Sequence, residues 1–197
     1  MFQFSINDNQ FLPHLSTQFG VSISRGQAHI LTGENGIGKS TLLRQFYDSS
    51  SLKEKIIFGR QKAGELFFDR KLSVYRELLE TNSNYLNREL FREFWRKSGL
   101  SGKEDRLLSH LSGGEGQLLK ILSLATSTGD IYFLDEPGQS LDREKKKLVA
   151  EIIIRLLDQQ KTLLIVEHDI SWLPQGSRIT ELEVVNQELR EKKSWII

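Results

Sequence analysis

Eight consecutive residues, Gly33-Glu34-Asn35-Gly36-Ile37-Gly38-Lys39-Ser40, carry the most explicit chemistry in this sequence. They fit the spacing G-x-x-x-x-G-K-[ST] at every position. Such a loop works because backbone N–H groups converge on a polyphosphate, and a Cβ at the glycine positions would obstruct them. Lys39 would then reach the β- and γ-phosphates, while the Ser40 hydroxyl, followed by Thr41, would face a Mg²⁺ ion. An apolar run at residues 27–32 precedes the loop, and a helical stretch from Lys39 to about Tyr47 follows it. The positive end of that helix is therefore aimed at the phosphates. Taken alone, the loop establishes a P-loop nucleotide binder and nothing narrower.

A second constellation is Ile131-Tyr132-Phe133-Leu134-Asp135-Glu136, an apolar strand ending in two carboxylates. By itself this could be a solvated strand end. Beside a phosphate loop, Asp135 becomes the carboxylate that holds Mg²⁺, directly or through water. Glu136 is then placed to polarise an attacking water.

These residues need a scaffold that brings distant segments together, and the hydrophobic pattern supplies one. Phe2, Phe4 and Ile6 alternate with polar residues, as do Phe19, Val21 and Ile23, which predicts half-buried antiparallel strands. Residues 27–32, 55–58, 131–134 and 162–166 read as short buried strands. Leu118, Ile121, Leu122 and Ala125 keep helical spacing, as do Leu148, Ile152 and Leu156. Strands alternating with helices predict an α/β fold. The fold class is thus a P-loop NTPase parallel-sheet core with an N-terminal antiparallel β subdomain and an inserted α-helical subdomain. The whole chain, residues 1–197, reads as one domain, with the helical subdomain at about residues 72–125.

Composition narrows the function. A formal net charge of +1 over 197 residues gives no electrostatic basis for binding nucleic acid directly. The absence of cysteine excludes disulfides and thiolate metal sites. No apolar run approaches the roughly 20 residues needed to span a bilayer, and Met1-Phe2-Gln3-Phe4 lacks the basic start and apolar core of a signal peptide. The expectation is a cytoplasmic protein.

With both phosphate-site motifs in place, Leu111-Ser112-Gly113-Gly114-Glu115-Gly116-Gln117 resembles the LSGGQ signature of the ABC (ATP-binding cassette) ATPases. Ser140-Leu141-Asp142 resembles the family's D-loop, Glu167-His168-Asp169 its switch-histidine region, and Gln61 its Q-loop glutamine. The motifs occur in the family's order over essentially the whole chain. Departures exist. Leu118 and Leu119 stand where the family usually places an arginine soon after the signature, Gly138-Gln139 replaces a Thr-Ser type pair, and Gly59-Arg60 precedes Gln61. The adenine-stacking aromatic of the family falls nearest Phe11, which reads equally well as a core phenylalanine, with Phe4 a weaker competitor.

The resemblance implies an ATP-binding and ATP-hydrolysing subunit with ATP and Mg²⁺ as cofactors. Two such domains, identical or not, would face each other. Each ATP would lie between the phosphate loop of one and Ser112, Gly113 and Gly114 of the other. Glu136 would orient water, His168 would hold the γ-phosphate, Gln61 would sense Mg²⁺ and water, and Asp142 would couple the two sites. A single cassette without a membrane segment implies a separate integral membrane transporter subunit, with this chain peripheral on the cytoplasmic face. Leu66, Phe67 and Phe68 fall where such a subunit docks in relatives, or else they pack into the helical subdomain. The alternative is a soluble, non-transport ABC ATPase acting on ribosomes or nucleic acid. Replacing Lys39 by Ala removes the cation of the phosphate loop. The expected outcome is loss of productive ATP binding or hydrolysis, and unchanged steady-state ATPase would refute the reading of the loop.

Overall fold

The computed structural model describes residues 2–6, 19–58, 70–82, 85–174, 178–185 and 188–194. Strands β1 (Phe2–Ile6) and β2 (Phe19–Ile23) pair antiparallel, with Phe4 opposite Val21. Phe2, Phe4, Val21 and Ile23 are buried while Gln3 and Ser22 are exposed, so the period-two alternation settles which face packs inward.

The central sheet runs in the order β4-β5-β6-β3-β7-β8. Its strands are β3 (Ala28–Thr32), β4 (Ile56–Phe58), β5 (Ile131–Asp135), β6 (Thr162–Val166), β7 (Ile179–Val185) and β8 (Glu188–Ser194). The first five in that spatial order are parallel, and β8 closes the edge antiparallel to β7. The expected parallel core and N-terminal antiparallel sheet are therefore present, with one antiparallel edge strand added.

Helices cover both faces of the sheet, which is why β5 and β6 are apolar along their length. On one face α1 (Lys39–Ser49) buries Leu42, Leu43 and Phe46 against Phe4, Phe133 and Leu164. The Phe133 ring meets Phe4 and Phe58 edge-on at centroid separations of 5.3 and 5.9 Å. On the other face, α4 (Gly113–Ala125) and α5 (Arg143–Asp158) bury Leu118, Ile121, Leu122, Leu148 and Ile152 against Tyr132, Leu163 and Ile165. Between β4 and α4 lie α2 (Leu72–Asn82) and α3 (Tyr85–Lys97). Leu72, Tyr75 and Leu79 of α2 join Phe91, Phe94 and Trp95 of α3 in the cluster that also holds α4.

The sequence reads as helical segments over about Leu72 to Leu108 broken at Ser98-Gly99 and Ser101-Gly102, and α3 does stop at Lys97, with turns after it. The Ser98 hydroxyl donates to the Trp95 carbonyl and accepts from the Leu100 N–H, and Gly99 and Gly102 take φ of 72° and 83°. Those left-handed positions end the helix. The β7–β8 hairpin was not foreseen. Its register shifts between Glu181 and Leu182, and β7 is buried at four consecutive positions, Ile179 to Leu182, so no alternation marks it. Strand β8 reads Glu-Leu-Arg-Glu-Lys-Lys-Ser, the charged composition of an edge strand and not an apolar run. Among the described residues, no helix is long and apolar enough to cross a membrane.

Candidate functional site

Strand register assembles the site. Val166 of β6 lies level with Leu31 of β3 on one side and with Asp135 of β5 on the other. The segments leaving these three parallel strands therefore emerge side by side. They are residues 33–38, Glu136 onward, and Glu167-His168. Crossing hydrogen bonds extend the ladder past the strand ends: Glu136 N–H donates to the Val166 carbonyl and Glu167 N–H to the Leu31 carbonyl, at 2.9 and 3.3 Å.

The loop between β3 and α1 has the backbone that its glycines permit. Gly36 and Gly38 have φ of 79° and 95°, a region hostile to side chains bearing Cβ. Lys39 folds back over the loop, donating from Nζ to the carbonyls of Gly33 and Glu34 at 2.9 and 2.8 Å. Its residue is only 5% exposed, an unusual burial for an ammonium. Burial pulls the Lys39 pKa below the ordinary lysine range, while the charges of Glu136 and Asp135 oppose that shift. Glu34 and Asn35 are exposed, and Ile37 and Thr41 are half-buried.

Ser40, the second residue of α1, donates its hydroxyl to Asp135 Oδ1 at 2.8 Å. A cavity of about 230 Å³ opens there, bounded by Ser40, Asp135, Glu136, Gln117 and Gln139, with Arg44 and Lys120 as its cations. One carboxylate and one hydroxyl converging on a polar space are hard oxygen donors of the kind Mg²⁺ takes alongside phosphates and water. Among the described residues there is no group of three or more His, Cys, Asp or Glu that could hold a metal ion.

Glu136 sits in a left-handed conformation, φ 46°, uncommon outside glycine. Three contacts hold that backbone: its N–H on Val166, and its carbonyl accepting from the Gln139 N–H and from Gln117 Nε2. Its carboxylate Oε1 lies 3.1 Å from His168 Nε2. A carboxylate only accepts, so the imidazole presents a proton on Nε2 toward it. Glu167 is buried beside this pair, with one oxygen on the His168 N–H and the other on the Gly138 N–H, at 3.0 and 3.1 Å. Burial raises its pKa, and those amide contacts oppose the rise.

Ser112 is the N-cap of α4. Its hydroxyl accepts from the Glu115 N–H, while the Glu115 carboxylate accepts from the Ser112 N–H at 2.8 Å, a reciprocal capping pair. The Lys103 ammonium lies 2.5 Å from the other Glu115 oxygen. Hydrogen bonding to Lys103 first, then to the Ser112 amide, holds the Glu115 carboxyl down at about 2 against the opposing effect of burial. Gly113 has open space around it, whereas a Cβ on Gly114 would lie 2.7 Å from the Ser140 carbonyl. Asp142 caps α5, accepting from the Lys145 N–H and Nζ at 2.9 Å each.

Lys39, Ser40, Asp135, Glu136 and His168 are thus gathered at one edge of the sheet. Ser112, Gly113, Gly114 and Asp142 lie at helix N-termini and do not line the Ser40–Asp135 cavity. Phe11, Gln61 and Leu66 to Phe68 lie outside the described residues. Arg44 and Lys120 were not named from sequence, and Gln117 and Glu167 were named only as members of the signature and switch-histidine segments, without a role of their own. Lys120 follows Gln117 by one helical turn, a spacing that could have pointed to a shared face.

Comparison with known proteins places this geometry. The family model described as ABC transporter matches residues 17–139. A putative ABC transporter ATP-binding protein of Archaeoglobus fulgidus is 32% identical over 176 residues, covering 74% of this chain and 58% of that protein. The chain therefore spans little more than half the length of that relative. Translation initiation factor rli1 of Schizosaccharomyces pombe is 30% identical over 141 residues, covering 71% of this chain and 23% of that protein. A dimeric ATP-binding cassette solved in a post-hydrolysis state with ADP and Pi superposes with a TM-score of 0.72 at 18% identity, covering 98% of each chain.

Glu115 supports a pH-dependent prediction. A carboxyl held at about 2 in the folded chain against an ordinary 4.5 stabilises fully above 4.5, and that stability is lost as pH falls toward 2. Glu115→Gln keeps the cap acceptor and loses the charge beside Lys103 and the helix N-terminus. The variant should be less stable than the parent by ~1 kcal/mol at pH 7. Denaturant midpoints measured down the pH scale should converge below 4.5. Equal midpoints at pH 7 would show that the charge contributes nothing.

Proposed function

The chain belongs to the ABC transporter family, and from that premise we propose that it binds ATP with Mg²⁺, hydrolyses it, and powers transport through a separate membrane subunit. The observation that carries the hydrolytic part is the pairing of Ser40 with Asp135 and of Glu136 with His168 at the strand ends beside Lys39. In this reading, backbone N–H groups of residues 33–40 and the Lys39 ammonium hold the β- and γ-phosphates. Lys39 exchanges its loop carbonyls for phosphate oxygens, a better partner for a buried cation. Ser40, Asp135 and Gln61 hold Mg²⁺, which when bound neutralises phosphate charge and fixes the oxygens for in-line attack.

Glu136 accepts a hydrogen bond from the attacking water and orients it toward the γ-phosphorus. His168 donates from Nε2 to a γ-phosphate oxygen, leaving the Glu136 carboxylate free for water. Phe11 stacks on adenine. The γ-phosphate also meets Ser112, Gly113 and Gly114 of a second cassette across a shared interface, with Asp142 coupling the two sites. The capped N-terminus of α4 suits that contact, because it aims a helix dipole at an anion. Hydrolysis removes the γ-phosphate contacts and releases the dimer. The dimeric cassette with ADP and Pi supports this arrangement by its likeness of fold.

The transport reading is supported by relatives named as transporter ATP-binding proteins, and it places the chain on the cytoplasmic face of a membrane. A non-transport task is the second reading, favoured by the likeness to a translation initiation factor. Fractionation of native cells separates the two. Transport requires the protein to sediment with membranes and to bring down an integral membrane protein. A freely soluble protein that brings down ribosomes instead would replace transport with the second reading.

A further inference from the structure

The backbone of Gly138 does not require glycine: it is absent from the positive-φ positions. The requirement is space. A Cβ at 138 would lie 2.6 Å from Trp172 Cζ2, 2.8 Å from Cε2 and 2.9 Å from Nε1. Real carbon contacts do not approach so closely, and a planar indole has no flexible end to yield. The ring is also pinned. It packs against the main core cluster, and its Nε1 is buried with no hydrogen-bond partner among the described residues. The Lys146 ammonium lies 5.9 Å from the ring centroid and 3.4 Å from Asp169.

Glu167 makes a second connection between the same two segments. The N–H groups of Gly138 and His168 each donate to a different one of its carboxylate oxygens, so both oxygens are engaged. The turn 136–140 is thus fastened to the turn 167–172 by an indole seated on a glycine and by a buried carboxylate bridging two amides. The first turn carries Glu136 and leads to Asp142; the second carries His168. Left-handed φ at Glu136 and Ser140, 46° and 61°, leaves little freedom to absorb a shift between them.

We propose that Glu167 and Trp172 are positioning residues for hydrolysis, holding the turn that bears Glu136 and the turn that bears His168 as one unit. This rests on the ATPase reading above. Gly138 is then the notch that Trp172 requires, and the two positions must change together.

The test is a double-mutant cycle with Gly138→Ala and Trp172→Leu, read by ATP turnover, by ATP affinity and by ¹⁵N NMR of the His168 side chain. In the parent, Gly138→Ala should lower turnover about tenfold while ATP affinity stays within about twofold. It should also move the His168 Nε2 resonance. Trp172→Leu lowers turnover by itself, but adding Gly138→Ala to it should cost nothing further, because the ring is gone. Equal cost in both backgrounds, or no cost in the parent, overturns the proposal. Glu167→Gln provides a second route should Gly138→Ala fail to fold. That substitution turns one of the two accepting oxygens into an NH₂ facing a backbone N–H, so turnover should fall and the His168 resonance should move; unchanged values of both overturn the proposal. The resonance is read without turnover. A parent that never hydrolyses ATP therefore defeats the ATPase reading alone, and a His168 resonance indifferent to these changes defeats the positioning role.

Discussion

Val166 is hydrogen-bonded into the sheet between β3 and β5, and that pairing is the constraint from which the site follows. It sets Leu31, Val166 and Asp135 at one level. Three chain segments, separated by about a hundred residues in one case, then leave the sheet as neighbours. A polyphosphate needs amide donors, a cation, a metal-holding carboxylate and a water-orienting group within a few ångströms. No single turn offers them all. Parallel strands side by side do, because their carboxyl ends point the same way.

The rest of the fold protects that register. β5 and β6 are buried on both faces, by α1 on one side and by α4 and α5 on the other, so a slip of one residue would exchange Tyr132 and Phe133 between two different cores. Phe133 in particular is wedged among Phe4 and Phe58. Against such a background the left-handed backbone at Glu136, costing on the order of 1–3 kcal/mol, is sustained by contacts from Val166, Gln139 and Gln117. The same α4 that supplies Gln117 begins at Ser112, so the glycine pair and the Glu136 turn share one rigid helix. Gly114 lies against the Ser140 carbonyl from the other direction.

Residues whose role is local were legible in the sequence. The phosphate loop declares itself because its spacing is dictated by a turn and a helix start. The alternation of Phe2, Phe4, Val21 and Ile23 likewise reports a half-buried sheet directly. Asp135 and Glu136 could be picked out once an apolar strand ended in them. What could not be read depends on distant packing. Glu167 looks like a surface carboxylate until two backbone amides close on it. Gly138 looks like a weakened motif until Trp172 is found against it. Lys120 looks like a solvated helix residue until Asp135 appears across the cavity, where burial pulls its pKa below the ordinary lysine range and the charge of Asp135 opposes that. The β7–β8 hairpin stayed hidden because β7 is buried at consecutive positions and β8 is charged at most of its residues.

The account stands or falls on whether the edge formed by β3, β5 and β6 is a hydrolytic site in which Glu136 acts on water and not on nucleotide binding. Glu136→Gln separates the two, since it keeps shape and hydrogen bonding while removing the proton-accepting charge. The measurement is turnover of bound ATP alongside MgATP affinity, for parent and variant. The expected result is affinity equal to the parent with turnover reduced on the order of 10²–10⁴-fold. A variant that hydrolyses ATP at the parental rate would contradict the assignment of Glu136 and, with it, the site as described.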